Sequence, residues 1–589
     1  MTELTSHDTA ARGSFPNVSP LWVGIAVVAA SVLIPGFSGN QYWSYSFTLV
    51  ALYTAVAVFQ NILMSEAGQF SLGQGVIFGV GAVTAASLTT LFGYPYWLSA
   101  IGGFVAGLLM GALYAGPALR VQGYYLGFVT LSAALVFPQL VIAFDSVTGG
   151  VNGVPVYVGA LVTPIVGTLT PLSLLAIALA VGALSLHYVF PKTRLGRKMI
   201  VSSVSTESAQ SLGTNPGVIR FIAFLIAAAG TALAGILYVP LIGFVGPTNF
   251  RVDFSVLFFL AVIVGGQGKL LAPILGIWIV YLVPNVLLAD FSHLRLMIYG
   301  LVALFVMLVF PDGLVGSIEK WWTARRPADT RTSFSLQDVF DALPETAGEG
   351  AASQDDRPLV SVRGATKYFG NAVALDGAGL DIRQGTIHGL VGPNGSGKTT
   401  MLNAVSGFLK LDSGAVRLFD HDVVAMPAWK RARLGLARTF QTPRIFEALS
   451  IRDNIRIGAE GHGGAQNSGF MEALATRDLP WLDRNPSLLP HGQRRLLEIL
   501  RVLESDAPVI LLDEPAGGLS AEERKDLARL LVHFRDKIGK TILLVEHDLS
   551  MVWQVADDIT VMELGTVAAQ GAPDEIRNDA NVKKLFTGV

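Results

Sequence analysis

The sequence predicts a multidomain chain: an all-α polytopic membrane domain followed by an α/β P-loop domain. Three observations carry this reading. Apolar residues make up 51% of the chain and charged residues only 15%, against about 25% charged in ordinary globular proteins. Charges are scarce from about Leu21 to Phe310 and reach soluble density after Glu319. Finally, Gly392-x4-Gly397-Lys398-Thr399 stands between an apolar run and a helical pattern.

The bulk numbers exclude some classes. A net charge of −2 offers no basic surface for nucleic acid, and the absence of cysteine excludes disulfides and thiolate metal sites. The N-terminus lacks a basic region followed by a small-residue cleavage site. The first apolar run is therefore expected to be a retained span behind a cytoplasmic tail, residues 1–20.

The membrane domain is expected over residues 21–318. A crossing helix needs about 20 apolar residues. About ten runs qualify: 21–36, 43–64, 74–92, 97–119, 124–144, 170–190, 218–244, 255–267, 270–289 and 295–311. Two are weak. The run 74–92 is glycine-rich and follows SLGQG, and 255–267 is short and ends in GGQG. Either is a candidate for a broken or re-entrant helix, tolerated only where protein or water covers the backbone. The basic stretches PKTRLGRK (191–198) and KWWTARR (320–326), with Arg120 and Lys269, mark the cytoplasmic side; the connection 145–169 has no lysine or arginine. Both termini are then cytoplasmic. Between the sixth and seventh spans, residues 199–217 are expected to hold a short cytoplasmic helix that leans on a motor, with Ala209, Leu212 and Ile219 on one face. Residues 319–357 are polar and rich in Pro, Gly and Ser, a linker in which SLQDVFDAL suggests a brief amphipathic helix.

Residues 358–589 carry the chemistry. Ile387–Val391 is a strand candidate, Gly392, Pro393, Asn394, Gly395, Ser396 and Gly397 the loop, and a helix should start near Lys398. Such a loop wraps a phosphate with backbone N–H groups, assisted by the positive helix end. Lys398 would reach the β and γ phosphates of ATP, and Thr399, followed by Thr400, would hold magnesium. VILLDEP (509–515) reads as a buried parallel strand ending in Asp513, beside the metal, and Glu514, placed to orient or deprotonate the attacking water. TILLVEHD (541–548) is a second such strand, with His547 a γ-phosphate contact. Gln441, in RTFQTPRIF, is a candidate metal contact and sensor toward the membrane domain.

Taken in order, these motifs resemble the nucleotide-binding domain of ABC transporters, over residues 359–589. The resemblance implies that Phe369 stacks on adenine, with Tyr368 the alternative, and that SLLPHGQRRLLEI supplies the signature: Pro490, His491, Gly492 and Gln493. Within that family the proline is similar to the LPxGQ of Liv-type branched-chain amino-acid importers, with His491 in place of the usual tyrosine. Proline suits a first helical turn, where its missing N–H has no partner. AGQFSLGQGVIFGVGAV, DSVTGGVNGVP, LAVIVGGQGKLLAPILG and LVFPDGLVG resemble the Liv-type permease. Two departures stand out: residues 199–213 keep Glu207 but are less acidic than the usual coupling helix, and Ser520 replaces an aspartate or asparagine.

The resemblance implies an importer subunit in a prokaryotic inner membrane, using ATP and Mg2+. It further implies an extracytoplasmic binding protein, a second permease and a second ATPase, or a second copy of this chain. An ABC exporter half-molecule and an ATP-gated channel or regulatory ATPase are the competing classes. An exporter needs cytoplasmic arms of about 17 residues each for a 25 Å extension, whereas 191–217 must serve both arms. Glu514 and His547 together argue for hydrolysis over ligand sensing. Branched-chain amino acids are the default solute, with urea, short amides, aromatic acids and steroid-derived acids as alternatives.

Overall fold

The computed structural model describes residues 19–119, 123–287, 294–324, 339–341, 358–461, 474, 479–547 and 549–587. The chain divides into two compact units, one of residues 1–190 with 221–326, the other of residues 191–220 with 327–589.

The first unit is helical, with a short antiparallel pair, β1 (Val154–Pro155) and β2 (Phe244–Val245). Among the described residues, 8 helices are long and apolar enough to cross a membrane, and Gln74–Thr90 and Ala272–Asn285 are shorter apolar helices. All ten fall on the expected runs, and a third run joins the two expected to be weak. The 255–267 run is short and broken as expected: a 3-10 turn, Pro247–Phe250, precedes a 14-residue α-helix, Val252–Gly265, and the extended Arg251 separates them. The third is 270–289, where Ala272–Ile277 passes into a π-helix, Trp278–Leu287, around Pro284. Proline removes an N–H and clashes one turn back, which a wider turn accommodates. The run 74–92 forms a continuous if short helix. SLQDVFDAL lies largely outside the described residues; residues 339–341 are helical.

Small residues set the packing. Gly103, Gly107 and Gly111 recur every fourth position along Tyr96–Ala118 and face one way. A Cβ on Gly107 or Gly111 would collide with Ala232 or Ala228, and one on Gly103 would lie 2.6 Å from the Gly81 carbonyl. Such stripes let helices approach closely in lipid, where no hydrophobic force drives them together. Gln41–Ser65 is buried along nearly its whole length and carries buried polar side chains, Thr54, Gln60 and Asn61, that are kept from lipid. Tyr53 on it meets Tyr281 edge-on, ring centroids 4.8 Å apart, and Phe258 at 5.6 Å. At the helix end, Asn61 accepts from Gly268 N (2.9 Å) and donates to the Lys269 carbonyl (3.2 Å), pinning the GGQGK turn. The backbone of the PDG turn closes on that turn, leaving no space for a Cβ on Gly313.

The second unit is built on two sheets. One is antiparallel, in the order β4-β3-β6-β7: Ala372–Arg383, Pro358–Phe369, Ser413–Leu418 and His421–Asp422. The other has the order β12-β11-β5-β10-β9-β8: Thr566–Gly571, Asp558–Glu563, Ile387–Val391, Thr541–Val545, Val509–Asp513 and Leu436–Arg438. All its pairs are parallel except β11–β12. Successive strand residues alternate sides. Leu511 and Leu543 pack toward the antiparallel sheet with Val360, Leu380 and Met401. Ile510 and Leu512 pack toward Leu496, Leu500, Leu527 and Leu531. Residues of β5, β9 and β10 are buried on both faces, as their unbroken apolar runs require. Because these three strands are parallel neighbours, their C-terminal ends share one edge. Gly392, Glu514 and His547 all follow those ends.

Candidate nucleotide site and coupling segment

The loop after β5 turns into the helix Lys398–Ser406. Gly392 has φ +152°, and a Cβ there would strike the Met562 carbonyl; Gly397 has φ +100° and lies against the Ala374 carbonyl. Only glycine fits both conditions. Asn394, Gly395 and Thr399 are exposed, while Ser396 and Lys398 are buried. Lys398 Nζ folds back across the loop, donating to the carbonyls of Gly392 (2.8 Å) and Pro393 (2.9 Å). Burial pulls its pKa down, and the charges of Glu514 and Asp513 oppose that pull.

Asp513 is buried and bonded through Oδ2 to Arg438 Nη2 at 3.2 Å. Desolvation raises its pKa and Arg438 opposes the rise. Glu514 is the hub of the site. His547 Nε2 lies 2.7 Å from one carboxylate oxygen, and Gln441 Nε2 donates to the other at 3.1 Å. His547 follows β10 by two residues rather than ending the strand, so it meets Glu514 directly. Four sequence candidates, Lys398, Gln441, Glu514 and His547, thus converge with Asp513.

The other candidates make their contacts elsewhere. Phe369 ends β3 with its ring 54% exposed and Lys367 Nζ 5.7 Å from its centroid. Tyr368 beside it is also exposed and bonds Asp412 through its N–H (2.8 Å). The signature helix spans His491–Leu503, with Pro490 as its N-cap. Pro490 therefore stands one residue ahead of the first turn, not within it. Its ψ of 156° directs the chain into the helix, and its carbonyl accepts the first helical bond, from Arg494 N (3.0 Å). Gly492 backs onto Glu523, and His491 onto Gly518. Ser520 caps the helix Ala521–Ile538 in a reciprocal box with Glu523. Serine caps as well as aspartate or asparagine does, so the departure at this position keeps the local structure.

Residues 199–217 do form short helices, Arg194–Val204 and Thr206–Ser211, capped by Thr193 and Ser205. Ile200, Val201, Ala209 and Leu212 bury against Phe446, Leu449 and Ile457. Ile219 is not on that face: it belongs to the following helix, Pro216–Ile242. Glu207 pairs with Arg444 at 3.2 Å, an exposed contact. Arg197 and Glu460 form a buried two-pronged pair, with Nε to Oε2 at 3.1 Å and Nη2 to Oε1. Arg433 Nε donates to the Gly213 carbonyl (2.8 Å).

Sequence reasoning missed Arg197, Arg438, Arg444, Glu460, Arg495 and Glu498. One signal was present. Arg495, Glu498 and Arg501 sit at three-residue spacing on a helix, a charged row on one face, and that face proves buried.

A family model for the permease component of branched-chain amino acid transport systems matches residues 42–310, and an ABC transporter model matches residues 375–517. LivG of Salmonella typhimurium, a high-affinity branched-chain amino acid transport ATP-binding protein, is 34% identical over 251 residues, 39% of this chain and 98% of LivG. BraF of Pseudomonas aeruginosa, described in the same words, is 33% identical over 254 residues, 39% of this chain and 98% of BraF. A probable LivG of Archaeoglobus fulgidus is 32% identical over 246 residues, with 95% of its length covered. One half of the sequence thus matches a permease and the other an ATP-binding subunit, and the chain belongs to the branched-chain amino-acid (Liv-type) ABC transporters, with permease and ATPase fused in one polypeptide.

Proposed function

We propose that this chain is the permease–ATPase subunit of an importer. It takes branched-chain or other hydrophobic amino acids from a separate extracytoplasmic binding protein, in a prokaryotic inner membrane. The observation that carries the import reading is the size of the segment at 191–220. Its helices have 11 and 6 residues, and 11 residues span only about 16 Å, too short for an exporter's cytoplasmic arm. The proposed boundaries are a tail at 1–20, the permease at 21–318, a linker at 319–357 and the cassette at 358–589.

At the ATP site, the amides of Gly392–Gly397 would cradle the phosphates, and Lys398 would leave its carbonyl partners for the β and γ phosphates. Phe369 would stack on the base. The oxygens of Thr399, Asp513 and Gln441 are hard donors suited to Mg2+, which supplies charge neutralisation at the phosphates. Glu514 would hold the attacking water, accept its proton and be oriented by His547 and Gln441. Glu514→Gln should keep ATP binding and lose about a hundredfold or more in turnover. Turnover at the parental rate in a phosphate-release assay would remove Glu514 from this role.

A cassette of this family completes its ATP site with another's signature helix. This chain carries one loop and one signature, so a partner permease and ATPase, or a second copy, would supply the rest. Pro490, His491, Gly492 and Gln493 would then face the nucleotide of the partner cassette. The import reading is tested in proteoliposomes with cassettes outward. Labelled amino acid should accumulate only with ATP outside and the binding protein in the lumen. Accumulation at full rate without the binding protein would favour export.

A further inference from the structure

Glu514 is one of four non-glycine residues with positive φ among the described residues, at +49°, a conformation L side chains hold only when their surroundings impose it. Two main-chain grips impose it here. Its N–H donates to the Val545 carbonyl of the neighbouring strand at 2.8 Å. Its carbonyl accepts Arg495 Nη2 at 2.9 Å, and the same nitrogen bonds the Asp513 carbonyl. The other arm of the guanidinium, Nη1, bonds the Phe440 carbonyl, next to Gln441, and Glu498 Oε2 at 2.9 Å. Arg495 and Glu498 are each 1% exposed. Glu498 Oε1 accepts the Arg444 N–H (3.3 Å), and Arg501 donates to the Arg444 carbonyl (2.7 Å).

One planar group thus holds the backbone of Glu514 and the backbone beside Gln441, whose side chain bonds the Glu514 carboxylate. The guanidinium suits this task, because its fork carries several donors in fixed directions while an ammonium offers a single point. It is mounted on the helix that begins with Pro490 and His491. A shift of that helix would reach the catalytic carboxylate through a rigid part.

We propose that Arg495 is a positioning residue for Glu514: it ties the signature helix to the strained main chain at the end of β9 and to the Gln441 loop, and so sets the carboxylate where water is activated. The proposal rests on the reading of Glu514 as the group that activates water. It assigns Arg495 to the turnover step and not to nucleotide binding.

The test uses the assembled full-chain transporter. Arg495→Met, of similar length and uncharged, should lower kcat for ATP by about ten- to a hundredfold, the usual consequence of a misplaced catalytic group. KM for ATP and the affinity for a fluorescent ATP analogue should stay within about twofold, since the phosphate loop is untouched. Arg495→Lys should recover part of the loss. In a Glu514→Gln background, Arg495→Met should change the residual single-turnover rate by less than about twofold, because groups acting through one another are not additive. An unchanged kcat, an equal rise in KM, or a full further loss in the Glu514→Gln background overturns the proposal and leaves the ATPase reading standing. Parental turnover in Glu514→Gln alone instead removes the reading beneath it. Should Arg495→Met fail to assemble, Arg495→Lys decides by the same kcat, KM and double-variant measurements.

Discussion

Lys398→Ala should bring magnesium-dependent ATP turnover of the assembled transporter below detection, a loss of about a thousandfold or more. The lysine is 5% exposed, and its ammonium is held over the loop by two main-chain carbonyls. Those carbonyls mark where its charge waits, and phosphate oxygens are the stronger acceptors. Burial lowers its pKa, and the charges of Glu514 and Asp513 oppose that shift. Removing it takes a pre-placed charge from where negative charge builds up on the phosphates during transfer. The fold should survive, because alanine is a good helix former at the start of Lys398–Ser406. Arginine should not substitute, because its planar, delocalised fork does not reproduce the compact point charge of an ammonium. Phosphate release from the purified complex, with thermal unfolding as control, measures the effect. Turnover within tenfold of the parent would sink the assignment.

Arg197→Ala should have the largest effect on stability. Arg197 is 3% exposed, grips Glu460 with two nitrogens, and gives a third donor to the Lys192 carbonyl. Its loss strands a carboxylate that is 5% exposed, leaving it Arg456 at 3.6 Å and the nearby charge of Lys198. Breaking a buried pair from one side costs about 3–5 kcal/mol. Because residues 191–220 run between two membrane helices, a loosened segment should lower solute moved per ATP more than ATP turnover itself. The double variant Arg197→Ala, Glu460→Ala should regain part of the stability, since the charges left behind, Arg456 and Asp453, reach solvent. Thermal unfolding and the transport-to-hydrolysis ratio test both points, and no change in either would remove the pair from coupling.

The parts legible in the sequence were those whose physics is local. Gly392–Thr399 is a loop and a helix start directly after a strand, and the strands Ile387–Val391 and Val509–Asp513 stand where their apolar runs put them. The meeting of Glu514 with His547 was not legible there: it depends on β9 and β10 being parallel neighbours, which neither apolar run states. What escaped depends on chain brought from far away. Arg197 and Glu460 are 263 residues apart, and neither carries a local mark of its partner. The left-handed Glu514 is imposed by Val545 and Arg495, so no turn signal announces it. Proline at 490 was recognised as a helix-start residue but misplaced by one position, because capping and first-turn preferences overlap there. The π-helix at Trp278–Leu287 escaped because its run is as apolar as its neighbours.

Residues 191–220 fold with the cassette, yet both their ends lead into the helices of the other unit. Between separate subunits, a face made of a small apolar cluster and one buried pair would have to find its seat by diffusion. Here the seat arrives later on the same polypeptide, so the search is confined to the reach of the chain. Tethered partners meet at an effective concentration of the order of millimolar, far above what a membrane subunit attains in a cell. Re-docking after each separation is then first order and indifferent to expression level, and dilution that dissociates a split transporter would leave this one engaged.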